Sequence, residues 1–212
     1  MLESVDPPRE SETPSKVFRI LIVGTRNVSG SAMAERVLQT GLNTCSPGRF
    51  QVDSAGTESI AGSPMTPSVE GLVRVFGGYS EGFASRRLNG DMLLEHNLVL
   101  SMNRRQRSML LELEPSMLRR TFTLLEFGRM VNTVTSRATP DLTWSQKSSE
   151  RWEQLLLLAL ALRSELSLSV ADDDIIDPFL RDDGVHSLMV RQLVPALNSL
   201  IEFECTASRM LR

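Results

Sequence analysis

Long apolar runs are missing from this sequence. The longest, Leu155–Leu162, spans eight residues, against the roughly 18 that a membrane-crossing helix needs, so no membrane partner is expected. Lysine is nearly absent, with only Lys16 and Lys147, and arginine carries almost all of the positive charge. A formal net charge of -3 leaves no basic excess for a general nucleic-acid binder, which needs a positive face. Cysteine is equally scarce. Cys45 and Cys205 form neither a C-x-x-C pair nor a disulfide framework, so a reducing cytosol is expected. The two histidines, His96 and His186, stand apart from each other and read as ordinary surface or boundary residues. Residues 1–16 are acidic, carry prolines and lack the apolar segment of a signal peptide, which again points to a cytoplasmic protein.

The remainder has an ordinary globular composition. With 212 residues, 41% hydrophobic and 23% charged, the chain fits one α/β domain with a sizeable core. Residues 1–16 offer nothing to bury and read as a disordered tail, followed by a domain over 17–205 and a short C-terminal tail over 206–212. Residues 17–23 are a β-branched apolar run, as in a strand covered on both faces. A helix over 31–42 follows, with Met33, Val37 and Leu38 at helical spacing and Ser31 suited to its N-cap. Strands are also expected over 50–54, 97–102 and 120–123. Further helices are expected from Thr66-Pro67 to Gly77-Gly78, and over 104–113, 124–130, 150–166 and 185–204, the last interrupted by Pro195. Residues 131–147 read as a polar, irregular insertion. The leucine-dense helix over 150–166 is expected to be core, with a homodimer face as its second use. Alternating strands and helices predict a three-layer α/β/α fold around a four-stranded parallel sheet.

Between the first strand and its helix lies a tight polar loop. In such a unit the free N–H groups and dipole of the helix N-terminus favour an anion at the loop. The loop is not a Walker motif, since no lysine precedes Ser31. It is not a G-x-G-x-x-G motif either, since position 26 is Arg.

Five segments in order carry a more specific signal. They are the loop Gly24-Thr25-Arg26-Asn27-Val28-Ser29-Gly30-Ser31 with the following Ala-Met-Ala-Glu, and Asp53-Ser54-Ala55-Gly56-Thr57. Residues 97–103, Phe122–Phe127 and Asp174-Ile175-Ile176-Asp177-Pro178 complete the set. From about residue 17 to 200 the chain resembles the low-molecular-weight protein tyrosine phosphatase family, whose loop usually reads V-C-T-G-N-I-C-R-S-P-M-A-E. The resemblance implies the phosphotyrosine protein phosphatase I-like fold, no metal and no cofactor. It also implies a mechanism: thiolate attack on phosphorus, a loop arginine gripping the phosphoryl oxygens, and an aspartate protonating the leaving phenolate. Asp177 stands at the general-acid position, while Asn27 and Ser31 keep the loop-shaping positions. The nucleophile position is Gly24 and the arginine position is Gly30.

Three readings follow. The first is an inactive, binding or regulatory pseudophosphatase meeting a phosphotyrosine protein or a phosphate or sulfate anion weakly. The second is an active phosphoric monoester hydrolase with a rearranged site using Arg26, Ser29 and Asp177. The third is a purely structural or interaction protein. Asp177 as a capping or solvated carboxylate, Arg26 as a solvated loop arginine and 172–174 as a solvated acidic run are the plain alternatives.

Overall fold

In a computed structural model, described for residues 16–137, 142–166, 173–178 and 183–211, the strands and helices alternate as expected. They are β1 (Phe18–Gly24), α1 (Gly30–Cys45), β2 (Phe50–Gly56), α2 (Pro67–Val75), α3 (Gly90–Leu94), β3 (Leu98–Ser101), α4 (Arg104–Leu113), β4 (Thr121–Thr123), α5 (Leu124–Arg137), α6 (Ser148–Leu166) and α7 (Asp183–Met210). The four strands form one parallel sheet in the order β2-β1-β3-β4. A tight 3-10 turn, Pro115–Arg119, leads into β4.

The period of two in β1 sorts its side chains between two cores. Phe18, Ile20 and Ile22 meet the apolar faces of α1, α5, α6 and α7. Leu21 and Val23 meet Leu93 of α3, Leu110 of α4 and Met117. Each strand side chain therefore finds a helix, which explains why β1 tolerates a polar residue only at the exposed Arg19. The chain goes from β1 outward to β2, then crosses back to β3 on the other side of β1. Sheets that reverse direction in this way leave a crevice at the carboxyl ends of the strands flanking the reversal.

Two helices, α5 and α7, run beyond the sequence expectation. α5 does not stop at Met130 but continues to Arg137, because Val131 and Val134 are buried. α7 passes unbroken through Pro195. Buried Leu193, Ala196 and Leu197 on either side offset the missing N–H, a defect of about 3 kcal/mol in an exposed helix. It then runs to Met210, into the stretch read as a C-terminal tail. The N-terminal tail lies outside the described residues up to residue 15. Leu157 of α6 is exposed, while Leu155 and Leu156 join the core as expected.

The cysteine reading requires correction. Cys45 at the end of α1 and Cys205 on α7 form a disulfide, with Cα atoms 4.8 Å apart at a sequence separation of 160. Spacing along the chain carries no trace of this pair; the packing of α7 along α1 creates it. Beside it lies a buried polar node. Glu204, fully buried, accepts hydrogen bonds from Ser46 Oγ (2.6 Å), Ser148 Oγ (2.8 Å), Trp152 Nε1 (2.9 Å) and Arg151 through Nη2 (2.6 Å) and Nε (3.2 Å). The Trp152 ring packs against Phe18, Phe50 and Phe203. This single carboxylate fastens α1, α6 and α7 together beside the amino ends of β1 and β2, away from the strands' carboxyl ends.

Breaking a buried ion pair on one side leaves an uncompensated charge. Arg151→Met is expected to lower unfolding stability by about 3–5 kcal/mol, measured by urea denaturation. The double change Arg151→Met/Glu204→Leu is expected to recover part of that loss.

Candidate functional site

The carboxyl end of β1 opens into the loop that the sequence singles out. Backbone hydrogen bonds fix its outer edge: Thr57 N–H donates to Gly24 O (3.0 Å), Glu58 N–H to Thr25 O (2.8 Å) and Thr66 N–H to Val28 O (3.1 Å). The segment after β2 can lie this close only because residue 56 is glycine. A Cβ there would stand 2.5 Å from Thr25 O.

Asn27 sets the loop's shape. It adopts φ 58°, the left-handed region that asparagine enters more readily than most residues. Its side chain, almost fully buried, donates to Ser54 Oγ (2.7 Å) and Ser31 Oγ (3.2 Å) and accepts from Arg86 N–H (2.9 Å). Ser54 Oγ in turn donates to Glu35, and Arg86 donates to Asp53 Oδ1 (2.9 Å) and Ser54 O (3.0 Å). His96, read from sequence as a plain boundary residue, is buried with Nε2 3.1 Å from Asp53 Oδ2 and Nδ1 2.6 Å from Met92 O. Burial pushes the Glu35 carboxyl up from its ordinary value, against the bond from Ser54 and the charges of Arg36 and Arg86. Burial also acts upward on Asp53, but the bonds from His96 and Arg86 outweigh it and hold that carboxyl well below the usual range.

Inside the loop, α1 begins at Gly30 with Ser29 at its N-cap position, and the Ser29 hydroxyl does not cap it. Ser29 Oγ is buried without a hydrogen-bond partner. From the other side, Gln106 of α4 donates to Thr25 Oγ1 (3.0 Å) and accepts from Met102 N–H (3.1 Å). The segment 173–178 closes the third side. Ile175 N–H donates to Met102 O (2.9 Å), Ile176 N–H to Gln192 Oε1 (3.0 Å), and Arg104 N–H to Asp174 Oδ1 (2.8 Å). Asp173 is buried and ion-paired with Arg104 (3.0 Å) and Arg129, so the solvated reading of this acidic run fails there; Asp172 lies outside the described residues. Asp177 reaches the mouth, where its carboxylate lies 3.8 Å from the Arg26 guanidinium, both about half exposed.

These parts enclose a cavity of about 30 Å³ lined by all eight loop residues, Gly24 to Ser31, together with Met102, Asn103, Gln106, Ile175, Ile176 and Asp177. The structure thus unites every site residue expected from the sequence. Gln106 and Met102 were not among them. Their signal was indirect: Gln106 stands three residues after Asn103, which caps α4 by accepting from Gln106 N–H (2.8 Å).

The two glycines are packed tightly. A Cβ at residue 24 would stand 2.6 Å from Ser31 Oγ, and one at residue 30 would stand 2.7 Å from Met102 Cε and 3.4 Å from Met189 Sδ. Methionine side chains therefore occupy the space beside Gly30. The lining includes no cysteine or histidine, and Ser29 has no base against it. The arrangement can offer amide dipoles to a small anion, with Arg26 at the rim; among the described residues that line it, none is a nucleophile with a base beside it. Among the described residues, no three His, Cys, Asp or Glu side chains converge as a metal site.

A family profile described as low molecular weight phosphotyrosine protein phosphatase matches residues 19–150. No curated protein matches the chain. Among solved structures, the YwlE arginine phosphatase of Geobacillus stearothermophilus is 23% identical, with a TM-score of 0.61 over 91% of this chain and 96% of that one. The low molecular weight protein tyrosine phosphatase of T. tengcongensis is 20% identical, with a TM-score of 0.61 over 87% and 98%. The tyrosine phosphatase Wzb of Escherichia coli K30, in complex with sulphate, is 16% identical, with a TM-score of 0.60 over 88% and 97%. At these identities the likeness is one of fold.

The carboxylates beside the loop make its frame acid-sensitive. Because the Asp53 carboxyl sits below its ordinary value in the folded chain, its stabilisation is complete above about pH 4 and is lost as pH falls further. Glu35 works oppositely, with its contribution present at low pH and lost as pH rises through its raised value. Asp53→Asn is expected to flatten the fall in the urea midpoint between pH 5 and pH 3. An equally steep fall in the variant would assign acid sensitivity to other groups.

Proposed function

We propose that this chain, which belongs to the low molecular weight phosphotyrosine protein phosphatase family, works as a pseudophosphatase that binds or regulates without turning over phosphate. The observation that carries the proposal is the pair Gly24 and Gly30, with Met102 packed where a side chain at residue 30 would begin. A phosphomonoester in this cavity meets no sulfur to attack it. It also lacks the bidentate guanidinium that, in an active site, strengthens as charge develops in the transition state.

Support for retained binding comes from the frame. The left-handed Asn27, the free hydroxyl of Ser29 and the helix start at Gly30 keep the loop shaped as an anion cradle. A related fold, Wzb, has been solved with sulphate. The ligands proposed are phosphate, sulfate or a phosphotyrosine side chain, held weakly because Arg26 already pairs with Asp177. Losing the loop arginine removes charge-assisted bonds worth about 1.5–3 kcal/mol each.

The rearranged-hydrolase reading finds little support. Asp177 pairs with Arg26, and the Ser29 hydroxyl has no hydrogen-bond partner to take its proton. A cytoplasmic location belongs to the same proposal. Among the described residues no helix is long and apolar enough to cross a membrane. The cysteine argument for a reducing compartment no longer contributes, since the cysteines are paired; intracellular disulfides, where they occur, are mostly transient and redox-sensing.

Purified protein is expected to show no hydrolysis of p-nitrophenyl phosphate above the buffer rate. Turnover that vanishes in Ser29→Ala or Asp177→Asn would reverse the reading. Titration calorimetry with phosphate and phosphotyrosine should give dissociation constants in the millimolar range, whereas no heat with either would favour a purely structural role. Gly24→Cys/Gly30→Arg is expected to yield trace turnover. Adding Met102→Ala should raise it at least about tenfold, equivalent to 1.4 kcal/mol of barrier, by clearing the space beside residue 30.

A further inference from the structure

The Cys45–Cys205 disulfide joins the far ends of two helices whose near ends build the cavity. α1 runs from Gly30 at the loop to Cys45, and α7 runs in the same direction from the cavity to Cys205. Their contacts keep an almost constant offset. Cys45 meets Cys205 at a separation of 160, Gly41 lies against Ile201 at the same separation, and Gly30 faces Met189 within one residue of it. The helices are therefore parallel and in register from one end to the other. At ~1.5 Å per residue the disulfide lies roughly 24 Å from the cavity.

The near end of α7 has two tasks at the site. Met189 packs beside Gly30 together with Met102. Gln192 holds the segment bearing Asp177, accepting from Ile176 N–H (3.0 Å) and donating to Asp174 O (3.3 Å). Midway, α7 is pinned against α5, where a Cβ at Gly128 would touch the Ala196 backbone at 3.1 Å. The pinned point lies between the disulfide and Met189, so a change of tilt or register at one end moves the other in turn.

We propose that the disulfide is a redox lock on the cavity: oxidised, it holds α7 in register on α1 and keeps Met189 and Gln192 in place; reduced, it lets the near end of α7 shift and the cavity open. The reductant is a dithiol. Cys45 is buried and Cys205 partly exposed, so a thiolate of the reductant attacks the Cys205 sulfur and Cys45 leaves as the thiolate. The reductant's second thiolate then displaces Cys205 from the mixed disulfide. Two electrons and two protons pass to the cysteines, and the reductant ends as its own disulfide. The device works whether or not the cavity turns over phosphate.

The test compares the full chain equilibrated with glutathione disulfide against the same sample treated with dithiothreitol. Thiol titration is expected to find no free thiol before reduction and both after it. Methyl NMR of the methionines, assigned with Met189→Leu and Met102→Leu, is expected to show both resonances moving on reduction. Cys45→Ser/Cys205→Ser is expected to reproduce the reduced positions without reductant; should that variant fail to fold, the dithiothreitol arm decides alone. Shifts confined to the neighbourhood of residues 45 and 205, with Met102 and Met189 unmoved, would overturn the proposal. Free thiols in the glutathione-treated sample would overturn it as well.

Discussion

The buried amide of Asn27 is the constraint on which the site depends. A chain leaving β1 must reverse within a few residues to start α1, and the reversal needs one residue in the left-handed region. Asparagine enters that region at modest strain, about 1–2 kcal/mol for most L-residues. Its three hydrogen bonds, to Ser31, Ser54 and the Arg86 amide, more than offset that strain. Through them the loop is tied to β2, to its own helix and to the segment following Gly82. These fastenings form a frame around the loop, distinct from the glycines that line its inner face.

That division between frame and inner lining keeps the residues that hold the loop's shape apart from the glycines that face the cavity. Asn27, Ser54, Glu35 and Arg86 form a network in which each polar group answers another, so removing one would strand its neighbours. Gly24 and Gly30 face inward and bear no hydrogen-bonding side chain, so nothing in the frame loses a partner through them. Glycine at residue 30 lets Met102 and Met189 pack over the position. The fold is thus insensitive to the change that most alters the chemistry.

The sequence displayed the parts whose signal is local. β1 appears as a β-branched run, the loop as polar residues between strand and helix, and 174–178 as an ordered motif. Each needs only neighbouring residues to be recognised. What stayed hidden depends on packing between distant segments. Cys45 and Cys205 meet because α7 follows α1 in register. Arg151 and Glu204, unremarkable in sequence, become a buried pair because α6 and α7 converge on the end of α1. Asp173 looked like its acidic neighbours, yet it is the one that turns inward to Arg104 and Arg129. α5 was cut short because the threonines, serine and asparagine after Val131 resemble a loop. Burial of Val134 outweighs their weak helix propensity.

The ion pairs of Asp173 and of Asp177 in the segment 173–178 differ in worth. Asp173 is buried with two arginines, so releasing it would leave a charge without compensation at a cost of several kcal/mol. Asp177 and Arg26 are about half exposed and 3.8 Å apart, a geometry that contributes at most about 1 kcal/mol in water. The base of the segment is therefore anchored by a buried charge, while the Arg26–Asp177 pair adds little of its own at the mouth of the cavity.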